Sequence, residues 1–452
     1  MDDAPAVAAL ARRMAGGALD PATLMRDTIA GIERAQPTLH AFIHIAADNA
    51  RAAALRARDA LRRGERVAPL HGVPVALKDV IDVAGQPTTA NSRTRLGMAP
   101  AARDSTIAAR LAAAGAIVVG KLHCWELSVG GPCDDTPFPP ARNPWDPSRD
   151  PGGSSSGAAV AVAAGLVPAA IGGDTGGSIR LPAAYCGVVG FKPSFGLVPM
   201  DGVVPFAGSL DVVGPLARSA ADAAIVTGAL AGRAIPVGPD GARCRVGIPV
   251  DLLAHVAPAE AVARSFEAAR RHLERIGVSV VDVRLASAPL FNACYFVIAR
   301  SEAFACWCDL LERSAAAMSA IARRSLAMGA LLSAADLVDA TRLRRHLARE
   351  MAGLFDRVDM LCLPTTPDIA GPLLPPDGVT RPDTAPYTRP FSLVGAPAIS
   401  LPCGLSSEGM PVGLQIVGRF GDDAGVLGLA HRLETSHDWP GRNLRPDPAR
   451  WM

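Results

Sequence analysis

The sequence predicts an α/β fold. Helical stretches alternate with short apolar runs along the 452 residues, the pattern of strands separated by helices. Apolar residues make up 49% of the chain, ample for a large core. No internal repeat stands out and no polar linker divides the chain, so it reads as one unit over 1–452.

The elements follow in order. Residues 5–62 are rich in Ala and Arg at helical spacing and predict two or three helices. Val73 to Val83 is β-rich between Gly72 and Gly85 and predicts a pair of strands. Asp104-Ser105-Thr106 caps a helix running to Ala114. Gly115 ends that helix, and Ala116 to Val119 predicts a buried parallel strand. Pro132 to Pro151 is a long proline-rich loop. Ser156 to Ala164 reads as a short buried helix and Val167 to Ile171 as a strand. A helix over 258–275 precedes a strand from Val278 to Val283. Ser333 and Asp336 form a capping box for a helix through Phe355, with Leu337, Leu343, Leu347 and Met351 as its apolar residues. Strands close the chain at Met360–Leu363, Ala398–Leu401 and Val412–Val417.

Composition excludes several classes. A net charge of +2 gives no strong field for nucleic acid or an anionic membrane. The cluster Arg342-Leu343-Arg344-Arg345 reads as a solvated helix face. Nine cysteines, scattered and odd in number, argue against a disulfide framework and for a reducing compartment. Cys306 and Cys308 have no nearby histidine or second pair, so no metal site is expected. Met1-Asp2-Asp3 opens no secretory signal. The uncharged run Pro151 to Gly173 contains Pro168 and is too weakly apolar for a membrane span. A soluble cytoplasmic protein is expected.

Chemistry concentrates between Pro151 and Pro182. Gly152-Gly153-Ser154-Ser155-Ser156-Gly157 is followed, after an apolar spacer, by Gly172-Gly173-Asp174-Thr175-Gly176-Gly177-Ser178. Glycines let backbone N–H groups converge on a ligand, and serines beside them can act as nucleophiles. A second signal is the use of lysine. The chain has 42 arginines but three lysines: Lys78, Lys121 and Lys192. Lysine can lose its proton when buried and arginine cannot, so these three are candidates for that task.

Two motif readings fail on context. Gly115 to Lys121 fits a P-loop spacing, but Leu122 stands where Ser or Thr must hold the metal. Gly153-Ser154-Ser155-Ser156-Gly157 fits a nucleophile elbow, but Pro144, Pro147 and Pro151 forbid the strand that must precede it. Among nine histidines only His123 lies near the signature, and it reads as a pocket residue sooner than as a base.

The remaining constellation is Lys78, Ser154 and Ser178. Its context resembles the amidase signature family. The resemblance rests on Gly72 to Asp79, on Pro151 to Ser155, on Gly172 to Arg180, and on Pro182 to Pro193. Weaker echoes recur at Leu363-Pro364-Thr365-Thr366-Pro367 and Gly395-Ala396-Pro397-Ala398. It implies a large mixed central sheet covered by helices on both faces. It divides the chain into a helical segment (1–62), a signature core (63–220), a variable middle (221–354) and a part returning to the core (355–452).

The resemblance also implies roles. Lys78 is a neutral base, Ser154 a relay preceded by a cis peptide, and Ser178 the nucleophile. The backbone N–H groups of Thr175, Gly176, Gly177 and Ser178 form an oxyanion hole, each such donor worth about 3–4 kcal/mol in the transition state. Ser155, Asp174 and Arg180 are supports; Lys121 and Lys192 are structural. No cofactor or metal is expected. The physical cost is consistent: a lysine neutral at pH 7 requires about 4.6 kcal/mol from its ordinary pKa, and burial shifts lysines by about 3–5 units. Asp79, one residue along a strand, points away from Lys78.

Departures from the family pattern bear on the substrate. Gly173 replaces a usual Thr, and Ser156 a frequent Gly. Leu181 stands where malonamidase-like members carry an arginine for a carboxylate, which argues against a small dicarboxylate amide. Trp125 to Cys133, the region near 290–320 and the loop near 385–395 are expected to line the pocket. The expected activity is hydrolysis of a small-molecule carboxylic amide, with aryl amides, esters and carbamates within reach. The expected partners include neither nucleic acid nor membrane, and leave room for a homodimer. One alternative is the A subunit of a tRNA-dependent amidotransferase, performing its glutaminase step. Another is a non-catalytic binding protein on the same fold.

Overall fold

In the computed structural model, residues 7–65, 68–237, 244–374, 382–442 and 444–451 are described. The N-terminal Met1-Asp2-Asp3 lies outside them. The strands are β1 (Phe42–Ile45), β2 (Pro74–Lys78), β3 (Ile117–Leu122), β4 (Ala169–Asp174), β5 (Val189–Lys192) and β6 (Val212–Ala217), followed by β7 (Arg245–Pro249), β8 (Ser279–Val283), β9 (Met360–Pro364), β10 (Ala398–Leu405) and β11 (Pro411–Gly418). Among the described residues they form one mixed sheet of eleven strands, ordered β1-β3-β2-β4-β6-β5-β10-β11-β9-β7-β8.

Strand periodicity divides the core between two faces. Val75 and Leu77 of β2 enter one buried apolar cluster, and Ala76 enters the other. In β4, Ala169 and Ile171 join the first and Ala170 the second. Successive residues of a strand point to opposite faces, so apolar runs without alternation need cover on both sides. Helices Pro21–Leu39 and Ser156–Ala163 cover the Ala76 face, and Ala220–Ala231 covers the other. Every residue of Ser156–Ala163 is buried. Its Gly, Ala and Val side chains leave no polar face, and its backbone packs close to the sheet.

Several expected elements are present in the fold. Ser105 caps Thr106–Ala113, and the Ser333–Asp336 capping box opens Ala334–Leu354 with both reciprocal bonds present. The helix Glu260–Arg275 precedes β8, and β9, β10 and β11 contain the three closing strands.

Other expectations are corrected. The N-terminal helical region holds three helices but also β1, which pairs antiparallel with β3. His40, at a left-handed φ of 48°, ends the preceding helix and releases the short β-favouring run Phe42-Ile43-His44-Ile45. Val73 to Val83 contains one strand, not two. β2 stops at Lys78, where the Ile81 amide donates to the Lys78 carbonyl at 3.0 Å and the chain turns. Beyond the turn Ile81 forms only an isolated bridge to Val203. The strand expected at Val167 begins at Ala169, because Pro168 cannot donate to the ladder.

The turn after β2 is held by a buried ion pair. Lys121 of β3 meets Asp79 at 3.0 Å, both side chains fully enclosed. Lys121 also donates to the Pro87 carbonyl and to Thr88 Oγ1, each at 2.9 Å. Removing one partner of such a pair strands a charge in the interior. Lys121→Met is therefore expected to lower stability by about 3–5 kcal/mol, seen as a reduced urea midpoint at pH 7. An unchanged midpoint would show that the pair has no net effect on stability.

Candidate active site

β2 and β4 run parallel and adjacent, with Ala76 beside Ala170 and Leu77 beside Ile171. Their carboxyl ends therefore open at the same edge, the usual position for a site in such sheets. β2 delivers Lys78 there as its last residue, and β4 delivers Asp174 and then the loop to Ser178. Lys78 shares the strand parity of Ala76, so it faces the helix Ser156–Ala163 and the Gly/Ser turn that precedes it.

That turn contains a cis peptide between Gly153 and Ser154. Lys78 Nζ donates to Ser154 Oγ at 2.6 Å. Lys78 is 1% exposed and Ser154 is fully buried. Burial lowers the lysine to about 8, opposed by Cys124, Asp211 and Asp174. Asp79 is engaged with Lys121 and is not among the charges that raise it.

The serine turn is tied to the glycine loop. The Ser155 amide donates to the Ser178 carbonyl at 3.2 Å. Ser155 Oγ donates to the Gly173 carbonyl at 3.0 Å and accepts from the Gly173 amide at 3.1 Å. A Cβ on Gly172 would lie 2.8 Å from Ser155 Oγ, so this approach requires glycine. Ser178 is half-buried on the wall of a cavity of about 490 Å³. Among the described residues its Oγ has no hydrogen-bond partner, so the link from Ser154 to Ser178 is not closed in this state.

The four expected oxyanion donors divide. The Gly177 amide donates to Asp174 Oδ1 at 2.7 Å and is already engaged. The amides of Thr175, Gly176 and Ser178 have no partner among the described residues. Gly177 sits at a φ of 136°, in the region that favours glycine. A Cβ on Gly176 would strike the Tyr295 hydroxyl, and one on Gly177 would strike Thr388.

Asp174 and Arg180 brace this loop. The Arg180 Nε donates to Asp174 Oδ2 and its Nη2 to Asp174 Oδ1, both at 2.9 Å, with neither side chain exposed. Burial pushes the Asp174 carboxyl up, but the Arg180 guanidinium outweighs it and holds the group below its usual range. Arg180 reaches on to Gln415 Oε1 at 2.7 Å, Ser392 Oγ at 2.7 Å and the Thr388 carbonyl at 3.0 Å. Asp211, which lies in no recognisable motif, holds Thr175 Oγ1 at 2.5 Å and accepts the Phe206 and Ala207 amides.

Neither of the other lysines reaches the serines. Lys192 is buried, donates to the Pro193 carbonyl at 2.9 Å and is lowered by burial to about 7. His123 is buried between Ser156 Oγ at 2.9 Å and Asn91 Nδ2 at 3.3 Å, and burial pushes it down to about 3. It is neutral at ordinary pH and does not line the cavity.

The cavity wall draws on the three regions expected from sequence, through Trp125 to Gly130, Tyr295 to Arg300, and Pro382 to Arg389. Phe206 and Asp150 also contribute and carried no sequence signal. Among the described residues no group of acidic, histidine or cysteine side chains is arranged to hold a metal ion, and no helix is long and apolar enough to cross a membrane.

Known proteins share the fold that carries this site. The Amidase family model matches residues 23–427. The A subunit of a glutamyl-tRNA(Gln) amidotransferase from Anaeromyxobacter sp. (strain K) is 38% identical, over 96% of this chain and 95% of that protein. A solved amidase superposes with a TM-score of 0.87 at 36% identity, covering 94% of this chain and 98% of its own. The corresponding amidotransferase chain of Thermotoga maritima superposes with a TM-score of 0.79 at 32% identity, covering 94% of each chain. The chain belongs to the amidase signature family and is an enzyme of amide carbon–nitrogen chemistry.

Proposed function

We propose that the site cleaves a carboxylic amide through an acyl-enzyme on Ser178. The observation that carries this reading is the 2.6 Å contact between Lys78 Nζ and Ser154 Oγ in a fully enclosed setting. A lysine lowered to about 8 supplies a neutral amine at mildly alkaline pH. Its lone pair accepts the Ser154 proton as Ser154 takes the proton of Ser178. Ser178 Oγ forms the bond to the carbonyl carbon. The open link between the serines closes by rotation of Ser178 once substrate fills the cavity; catalytic hydrogen bonds are often loose without substrate.

The negative oxygen of the tetrahedral intermediate points at the amides of Thr175, Gly176 and Ser178. Gly177 keeps its bond to Asp174 and fixes the loop instead. The carbon–nitrogen bond then breaks, and the relayed proton passes back through Ser154 to the leaving nitrogen. Water attacks the acyl-enzyme by the same relay and releases the acid. Ser155, Asp174 and Arg180 touch no reacting atom in this scheme and act by holding the loop.

The setting of this chemistry has two readings. The names of the relatives, at 35–38% identity over nearly the whole chain, favour the A subunit of a tRNA-dependent amidotransferase over a free-standing hydrolase. In that setting the amide is that of glutamine, the ammonia passes onward within a complex, and partner subunits carry the tRNA contacts. A cytoplasmic location fits either reading.

Three outcomes are expected. A fluorophosphonate labels Ser178, Ser178→Ala abolishes both labelling and ammonia release, and Lys78→Ala lowers kcat by about 10²–10⁴-fold; full turnover in the lysine variant removes the mechanism. The active form is the deprotonated lysine, so kcat/KM for an uncharged amide rises with pH through about 8 and then levels. A profile flat from pH 6 to 9 contradicts that assignment. Gel filtration of the chain from its native host separates the settings: elution with stoichiometric partners supports the amidotransferase, and a partner-free species with full amide turnover rejects it.

A further inference from the structure

The cavity holds two arginines with different fates. Arg389 lies 4.4 Å from the Phe296 ring centre and is paired with Asp383, whose two carboxylate oxygens it engages. Arg300 lies 6.0 Å from the same ring centre. Its Nη1 donates to the Ser325 carbonyl at 3.3 Å. Its Nε is enclosed and has no acceptor among the described residues. No carboxylate among those residues pairs with it. Burial, with Arg389 nearby, pushes the guanidinium below its usual range, the direction expected of a cation that lacks a counter-charge.

The wall also carries two carboxylates, Asp383, which is paired with Arg389, and Asp150, which accepts the Gly152 amide, and two further donors. The Trp125 indole N–H is enclosed and unpartnered among the described residues. The Tyr295 hydroxyl, on the same helix as Arg300, reaches the backbone of Gly176 and makes no hydrogen bond among the described residues. Arg300 lines a half-open cavity without a carboxylate partner among the described residues, and a cation so placed suits a ligand that brings acceptors. A guanidinium presents two parallel donors that match a carboxylate.

We infer that Arg300 binds a carboxylate on the acyl side of the substrate, so that the amide cleaved belongs to an acid that carries a second, distal carboxylate. This rests on the acyl-enzyme reading and narrows its substrate class. It also revises the expectation drawn from Leu181. That residue contributes an apolar side chain to the wall, but the cation comes from another element lining the same cavity, the helix Ala288–Ser314. The class includes glutamine and the monoamides of longer dicarboxylic acids.

The test compares half-amides of dicarboxylic acids, from malonamate to adipamate and with glutamine, against the uncharged diamides of the same length. In the wild-type enzyme the best half-amide is expected to exceed its diamide at least tenfold in kcat/KM. Arg300→Gln is expected to cut that ratio tenfold or more through KM, and Arg300→Lys to retain part of it. A wild-type ratio near one, or equal losses on charged and uncharged substrates in Arg300→Gln, overturns the inference. A second arm uses the unaltered protein and needs no turnover. Glutarate is expected to slow fluorophosphonate labelling at a concentration at least tenfold below that of butyrate, and equal protection by the two overturns the inference. The label separates this failure from that of the underlying reading. Loss of the charge preference with Ser178 still labelled removes only the role of Arg300, whereas labelling elsewhere removes the acyl-enzyme itself.

Discussion

The contact on which the site depends is a single enclosed hydrogen bond, from Lys78 to Ser154 at 2.6 Å. In the proposed mechanism an amine in that position works only when it can give up its charge, and any free carboxylate nearby would restore the charge. The surrounding acids are accordingly occupied. Asp174 is bound by Arg180, Asp211 by Thr175 and two backbone amides, and Asp79 by Lys121. The buried ion pairs thus have a second consequence besides local order. They tie Asp174 and Asp79 to other cations, and desolvation outweighs the remaining pull of Asp174 and Asp211 on Lys78.

The same pairs join distant parts of the chain. Arg180 stands two residues after Ser178 and binds Gln415 on β11 and Ser392 on the short helix Arg389–Leu393. Thr388, just before that helix, donates to the Gly176 carbonyl at 2.6 Å. The glycine loop is therefore fixed from one side by β4 and from another by the C-terminal part of the chain. Tyr295 covers it from a third direction, close enough that only glycine fits at position 176. The paired glycines serve backbone access to the cavity and the close packing of these covering residues together.

Much of this was legible in sequence because it is local. The Gly/Ser turn, the Gly176-Gly177-Ser178 loop and the run ending at Lys78 are contiguous segments whose residue types single them out, and the fold brings them together. Helices with capping residues, such as Ser333 with Asp336, were legible for the same reason. What escaped depends on long-range placement. β1 is four residues long and gains its partner only from β3, far along the chain. Nothing around Asp211 announces that it will receive Thr175, and nothing around Tyr295 announces Gly176. The resemblance implied that the Gly177 amide faces a substrate. Its engagement by Asp174 is a matter of side-chain reach across one tight loop, which residue types alone leave open.

Arg300 and the lysines make a final contrast. Lys78 and Lys192 are both buried with no carboxylate in contact among the described residues. Each meets that situation by moving toward the neutral amine, at about 8 and about 7. Arginine has no such route, since its guanidinium stays protonated throughout the range where proteins fold. Arg180 resolves the matter with Asp174, and Arg389 with Asp383. Arg300 has no carboxylate partner among the described residues and no means to shed its charge, and it lines the cavity that Ser178 opens into. A cation in that position is best compensated by an anion that enters with the ligand, which makes the charge of the ligand the property that this wall is suited to select.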